Sequence, residues 1–272
     1  MRCFRIVTAC CGLLLIFGCG SDLYEQRLKE TNAFFEYRQS LNRVLQSGNW
    51  TTLSTISMQI PNGFKLLPGP RLAKEGEPAP QDTRQPQSIG VLRFMLPGLA
   101  GAWQGEFACQ DGKNRPAYLY VCSNHQMFLD KQEVPDGPEP ELFLTDLENN
   151  LSADFQVNLP PGEMAQVGNN IRYAETCPKD GRYALPKKFT GITFVPPGKL
   201  PQFGDEEMKA QLYGHHNGPI QVAVLAIYPA GVRDRLDERL LMALETFSVS
   251  NAVPKGKAGQ IPGTAPQPTN GF

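Results

Sequence analysis

Apolar side chains at Tyr24, Leu28, Phe34, Phe35, Leu41 and Leu45 recur about every 3.5 residues, with Glu25, Arg27, Lys29, Glu30, Arg38 and Arg43 between them. That period predicts one amphipathic helix over 23–45, stopped by Ser47-Gly48-Asn49. The alternating run Ile56-Ser57-Met58-Gln59-Ile60, closed by Pro61-Asn62-Gly63, predicts a strand with one buried face that runs into a turn. Runs rich in β-branched and aromatic residues at 89–96, 103–109 and 117–122, separated by Gly or Pro, predict strands of an antiparallel sheet. Residues 138–141 open a second helix, with Phe143, Leu147, Leu151 and Phe155 on one face and Glu139, Glu141 and Asp146 early, as the helix dipole prefers.

Further strands are predicted at 170–174, 190–195, 209–214 and 220–228, and the last is almost unbroken in Ile, Val, Leu and Ala, the pattern of a strand covered on both faces. His215-His216-Asn217-Gly218 reads as the hairpin turn between the last two. Val232, Leu236, Leu240, Leu244 and Phe247 make a closing helix over that strand, with Arg239 on its far side. The fold class that follows is α+β: a mainly antiparallel sheet with packed helices, preceded by an N-terminal amphipathic helix. Residues 68–88 hold five prolines and hardly a large apolar side chain, which marks a surface insertion. From Asn251 to Phe272 the chain lacks an apolar face and reads as a disordered tail.

The N-terminus has a different pattern. Arg2 and Arg5 precede an apolar run over 6–17, and a dozen helical residues at about 1.5 Å each reach only ~18 Å, short of the ~30 Å hydrocarbon core. A cleaved secretory signal fits better than a spanning helix. The segment Ile16-Phe17-Gly18-Cys19 resembles the lipobox of bacterial lipoproteins, in which the signal is cut before the cysteine and the cysteine carries the lipid. Gly18 and Cys19 match the strictest positions; Phe17 is bulkier than usual, and Ile16 stands where Leu is commonest. The resemblance implies lipidation at Cys19, with the membrane as partner through that anchor. Gly20 after the cysteine, rather than Asp, is the pattern that in enteric bacteria permits export to the outer membrane. The organisation is then a signal peptide at 1–18, an anchor and helix at 19–48, a single α+β domain at 49–250 with the insertion at 68–88, and a tail at 251–272.

Lys+Arg 26 against Asp+Glu 27, with no dense basic stripe, excludes a nucleic-acid partner, which needs a local positive excess. Cys3, Cys10 and Cys11 lie in the signal; Cys109, Cys122 and Cys177 remain as an odd set, open to one disulfide or to three reduced thiols. A metal site would enlist Cys122 and His125 with Cys177, His215 and His216, but the paired close spacings of a zinc site are missing. A nucleophile reading would use Ser123 or Cys122 with His125 and Asp130, without any nucleophile elbow around them. No phosphate loop or cofactor motif is present, so no catalytic residue, cofactor or metal is assigned. Trp50 and Trp103 fit either core positions or stacking platforms for a sugar or peptide.

One fold-level resemblance remains. Ser57-Met58-Gln59-Ile60-Pro61-Asn62-Gly63-Phe64, together with 223–228, the closing helix and Glu245-Thr246-Phe247-Ser248-Val249, is similar to the PsbP/Mog1-like family. That family implies an antiparallel sheet between helices and an accessory or binding role without catalysis. The expected function is a membrane-anchored envelope lipoprotein that works as a binding or assembly module with an envelope protein or component. Its rivals are an envelope hydrolase assembled from distant residues such as His125, Asp130 and His215, and a structural spacer.

Overall fold

The central strand is dictated by its own composition. Ile220–Pro229 (β10 below) is buried at every position, so it needs a neighbour on each side and a covering layer on each face. The computed structural model describes residues 21–52, 55–70 and 81–255. These form an N-terminal helix and, from Leu45 onward, a separate compact unit.

The helix, α1, runs Ser21–Val44. In the second unit the strands are β1 (Trp50–Thr52), β2 (Ile56–Met58), β3 (Phe64–Leu66), β4 (Leu99–Ala108), β5 (Asn114–Ser123), β6 (Ala165–Val167), β7 (Asn170–Cys177), β8 (Lys187–Phe194), β9 (Met208–Asn217), β10 (Ile220–Pro229) and β11 (Ser248–Val249). Its helices are α2 (His125–Glu133), α3 (Phe143–Phe155) and α4 (Leu236–Glu245). An eight-stranded antiparallel sheet has the order β3-β4-β5-β10-β9-β8-β7-β6, and a small sheet has the order β1-β2-β11. The class is α+β, as the periodicities predict.

Alternation along β10 assigns the two faces. Ala223, Leu225 and Ile227 join Phe143, Leu147, Leu151 and Phe155 of α3 in one apolar cluster. Tyr228, of opposite parity, donates its hydroxyl hydrogen bond to Asp237 of α4. The two helices therefore cover opposite faces. Phe247, just past α4, sets its ring against Phe189 of β8 and His215 of β9, with centroids 5.8 and 5.4 Å apart.

Four local expectations fail for identifiable reasons. Residues 91–96 form no strand. They follow a 3-10 turn at Pro86–Ile89 that ends at Gly90 in the left-handed region, φ +69, and they enter the core as an irregular segment. The Gln85 side chain stands in for a neighbouring strand, accepting from Leu96 N at 2.8 Å and donating to Leu96 O at 3.2 Å. His215 and His216 lie within β9, opposite Val222 and Gln221, and the turn shrinks to Gly218-Pro219. Val232 precedes the closing helix and bridges Cys109 instead. Arg239 is no solvent-facing control: its guanidinium donates to Asn62 O and lies 5.6 Å over the Phe107 ring. The tail beyond residue 255, the segment 71–80 and Cys19 lie outside the described residues.

Candidate functional site

Chemistry-bearing residues converge most closely where β5 turns into α2. Asn124 is fully buried there; its side-chain amide donates to Pro140 O and Pro219 O, both at 3.0 Å, and its Oδ1 accepts from Gln221 N at 3.0 Å. Gln221 extends the network, donating to Glu141 O and accepting from Leu144 N at 2.9 Å. The two amides tie β5, β10 and the start of α3 together through backbone groups that would otherwise be buried without partners.

Ser123 and His125 flank Asn124. The Ser123 hydroxyl accepts from His125 N at 3.1 Å and bonds the ring Nδ1 closely, while Nε2 finds no partner. Desolvation is the cause that holds the imidazole pKa below its ordinary value, so the ring is neutral at pH 7. A hydroxyl bonded to a neutral imidazole is the local half of a nucleophile, but Ser123 and His125 are only 2% and 3% exposed. Asp130, the acid of a hypothetical triad, sits on the outer surface of α2 and accepts from Gln126 at 2.8 Å instead. The pair acts as a buried corner that ends β5 and starts α2.

The other candidate ligands stay apart. Cys122 points into the α3-side cluster, and burial pushes its thiol pKa well up. Cys177, at the end of β7, is raised by burial to about 12. Both thiols are held too far toward the protonated form to serve as nucleophiles, and Cys109 is a third free, buried cysteine. His215 donates from Nδ1 to Lys188 O at 2.8 Å and packs on Phe189 and Phe247, whereas His216 is exposed on the other face of the sheet. Among the described residues no three His, Cys, Asp or Glu side chains gather as a metal site would require.

Open concave surface lies elsewhere. A cleft of about 370 Å³ runs between residues 90–93, the end of α3 at Asp154 to Gln156, and the loop Pro196-Pro197-Gly198-Lys199. Its floor includes Leu92, Phe155, Leu200 and Met208; at its rim Arg93 N donates to Asp154 Oδ2 at 3.3 Å. The same Pro-Pro-Gly-Lys loop borders a second cleft of about 310 Å³ with Asn169 and Glu207. A groove made by three distant segments leaves no local signal in the sequence.

No protein-family model matches the chain, and no curated protein matches it. A solved structure of a Bacteroides thetaiotaomicron protein is similar at a TM-score of 0.28 and 9% identity, over 75% of this chain and 49% of that one. The chain thus spans about half the length of that protein, and so distant a likeness carries no argument about function.

Proposed function

We propose that the protein is a bacterial envelope lipoprotein, acylated at Cys19, whose α+β body is a non-catalytic binding or assembly module facing the periplasm. The observation that carries the reading is the N-terminal series Arg2, Arg5, the apolar run 6–17, then Gly18-Cys19, followed within two residues by the polar helix α1. Two or three acyl chains hold a protein on a bilayer, at roughly 0.8 kcal/mol per buried CH₂, where one short chain does so only marginally.

The PsbP/Mog1-like reading of the body is supported by where the two quoted ends of the motif lie. Ser57 pairs with Ser248 and Ile56 with Val249, so the opening strand and the strand after the closing helix share the small sheet. Gly63, at φ +94, supplies the left-handed turn between β2 and Phe64. Binding rather than catalysis is favoured by the burial of Ser123 and His125 away from the open clefts.

The test is Cys19→Ala in the full chain. The wild type is expected to carry an acylated cysteine at its N-terminus and to stay with membranes through a high-salt wash. The variant is expected to persist as a precursor or to lose the lipid. A variant that matures to the same mass and fractionates identically overturns the reading.

A further inference from the structure

Five of the large apolar side chains that stand exposed fall in one stretch of α1: Leu23, Tyr24, Leu28, Phe34 and Phe35, with exposures from 40% to 67%. At 100° per residue they form two ridges, Leu23 with Phe34 and Tyr24 with Leu28 and Phe35. Arg27, Thr31 and Arg38, all exposed, run between the ridges. Glu25, Lys29 and Glu36 occupy the opposite side. A helix of this kind, with apolar rings on either side of a row of guanidinium groups, suits a boundary where hydrocarbon meets phosphate: rings enter the acyl region, and arginines reach the headgroups.

What covers this face follows from the chain just before it. Cys19 precedes Ser21 by two residues, so an acyl anchor there keeps the first turn of α1 within ~7 Å of the bilayer. If the apolar run 6–17 were instead retained, Phe17 would still hold it within ~14 Å. The helix itself does not span: it carries Asp22, Glu25, Glu30 and Glu36 against Arg27, Lys29, Arg38 and Arg43, and no described helix is long and apolar enough to cross a membrane.

We infer that α1 is an interfacial helix that lies on the anchoring membrane through Leu23, Tyr24, Leu28, Phe34 and Phe35, with Arg27 and Arg38 on lipid phosphates. The inference rests on the anchoring proposed above. It makes the anchor a two-part device, in which the lipid supplies affinity and the helix adds a second contact with the same bilayer.

The experiment uses the full mature chain reconstituted in phosphatidylcholine vesicles that contain brominated-chain lipid, a short-range quencher of tryptophan. Phe35→Trp reports the apolar face and Lys29→Trp the opposite one, each read as the increment over the wild-type emission of Trp50 and Trp103. The added tryptophan at 35 is expected to be quenched at least about threefold more than that at 29. Equal quenching in a chain that floats with the vesicles overturns the interfacial helix and leaves the anchor standing. A wild-type chain that does not float overturns both. Equal quenching together with a dimer mass in detergent assigns the face to a second copy and likewise overturns the inference.

Discussion

Trp50 and Trp103 meet edge to face, ring centroids 4.8 Å apart at an interplanar angle of 81°, and join the small sheet to the large one. Trp103 is 2% exposed, so the pair acts as a structural rivet and not as a platform for a sugar or peptide. The contact explains Gly101. A Cβ there would lie 2.5 Å from both indole rings, beside the register shift that separates Leu99 from Gly101 on β4.

Gly101→Ala is therefore expected to destabilise the protein by about 1–3 kcal/mol through overpacking. Urea unfolding followed by tryptophan emission measures it, and near-UV circular dichroism should change with it because both tryptophans move. Combined with Trp50→Ala the cost should shrink, since one of the two clashing rings is gone. An unchanged midpoint in Gly101→Ala would mean that the rings are not locked together.

Gln85→Ala removes both partners of the Leu96 backbone, N–H and C=O, inside the core. Each group stranded without a partner costs roughly 1–3 kcal/mol, so the variant is expected to lose at least about 2 kcal/mol. Gln85→Glu separates shape from chemistry: it keeps the acceptor for Leu96 N but loses the donor for Leu96 O. Its loss should reach that of Ala or exceed it, because it also buries a charge. Hydrogen exchange at Leu96 gives a local readout, and protection unaffected by either change would refute the assigned role.

The fold is legible in the sequence where burial follows a period and illegible where distant groups meet. β10 was legible because ten buried positions leave an unbroken apolar run, and α3 because Phe143, Leu147, Leu151 and Phe155 repeat at helical spacing. Residues 91–96 misled because Val91, Leu92 and Leu96 are as apolar as a strand, while their partner is a side chain eleven residues upstream from Leu96. His215 and His216 resemble a turn because they are polar, although the Gly218-Pro219 pair closes the hairpin two residues later. Ser123 and His125 stand out in the sequence for their chemistry, but Asn124 between them does not, and its contacts with Pro140, Pro219 and Gln221 are encoded by no local pattern.

The closing helix supplies a paired test. Leu240 is 2% exposed, and Leu240→Ala is expected to cost about 2–5 kcal/mol by cavity formation. Arg239→Ala, which would be near-neutral on a solvent face, should cost over 1 kcal/mol, because it strips a donor from Asn62 O and a cation from the Phe107 ring. Glu238, exposed one residue earlier, is the neutral control, within about 0.5 kcal/mol. Equal, small effects at 238 and 239 would show that the guanidinium is solvated and that the helix is rotated from the orientation described.

His125 is buried with Nε2 unpartnered, and desolvation holds its folded pKa below the unfolded value of about 6.5. The unfolded chain therefore binds the proton more readily. Stability from the neutral ring is full above that unfolded pKa and declines as pH falls through the window from it down to the folded pKa, with a slope of at most ~1.4 kcal/mol per pH unit. His215, whose pKa is lowered chiefly by its own burial, adds a second contribution of the same sign. His125 is also the first residue of α2, where the dipole opposes a cation, so protonation should loosen that helix before the sheet. His125→Gln, which keeps a side-chain polar group near Ser123 but cannot titrate, is expected to flatten the fall in stability as pH drops below about 6.5 and to leave the part due to His215. Urea midpoints at half-unit pH steps decide it. Parallel curves for wild type and variant would mean that the His125 ring reaches water and carries its proton in the folded state.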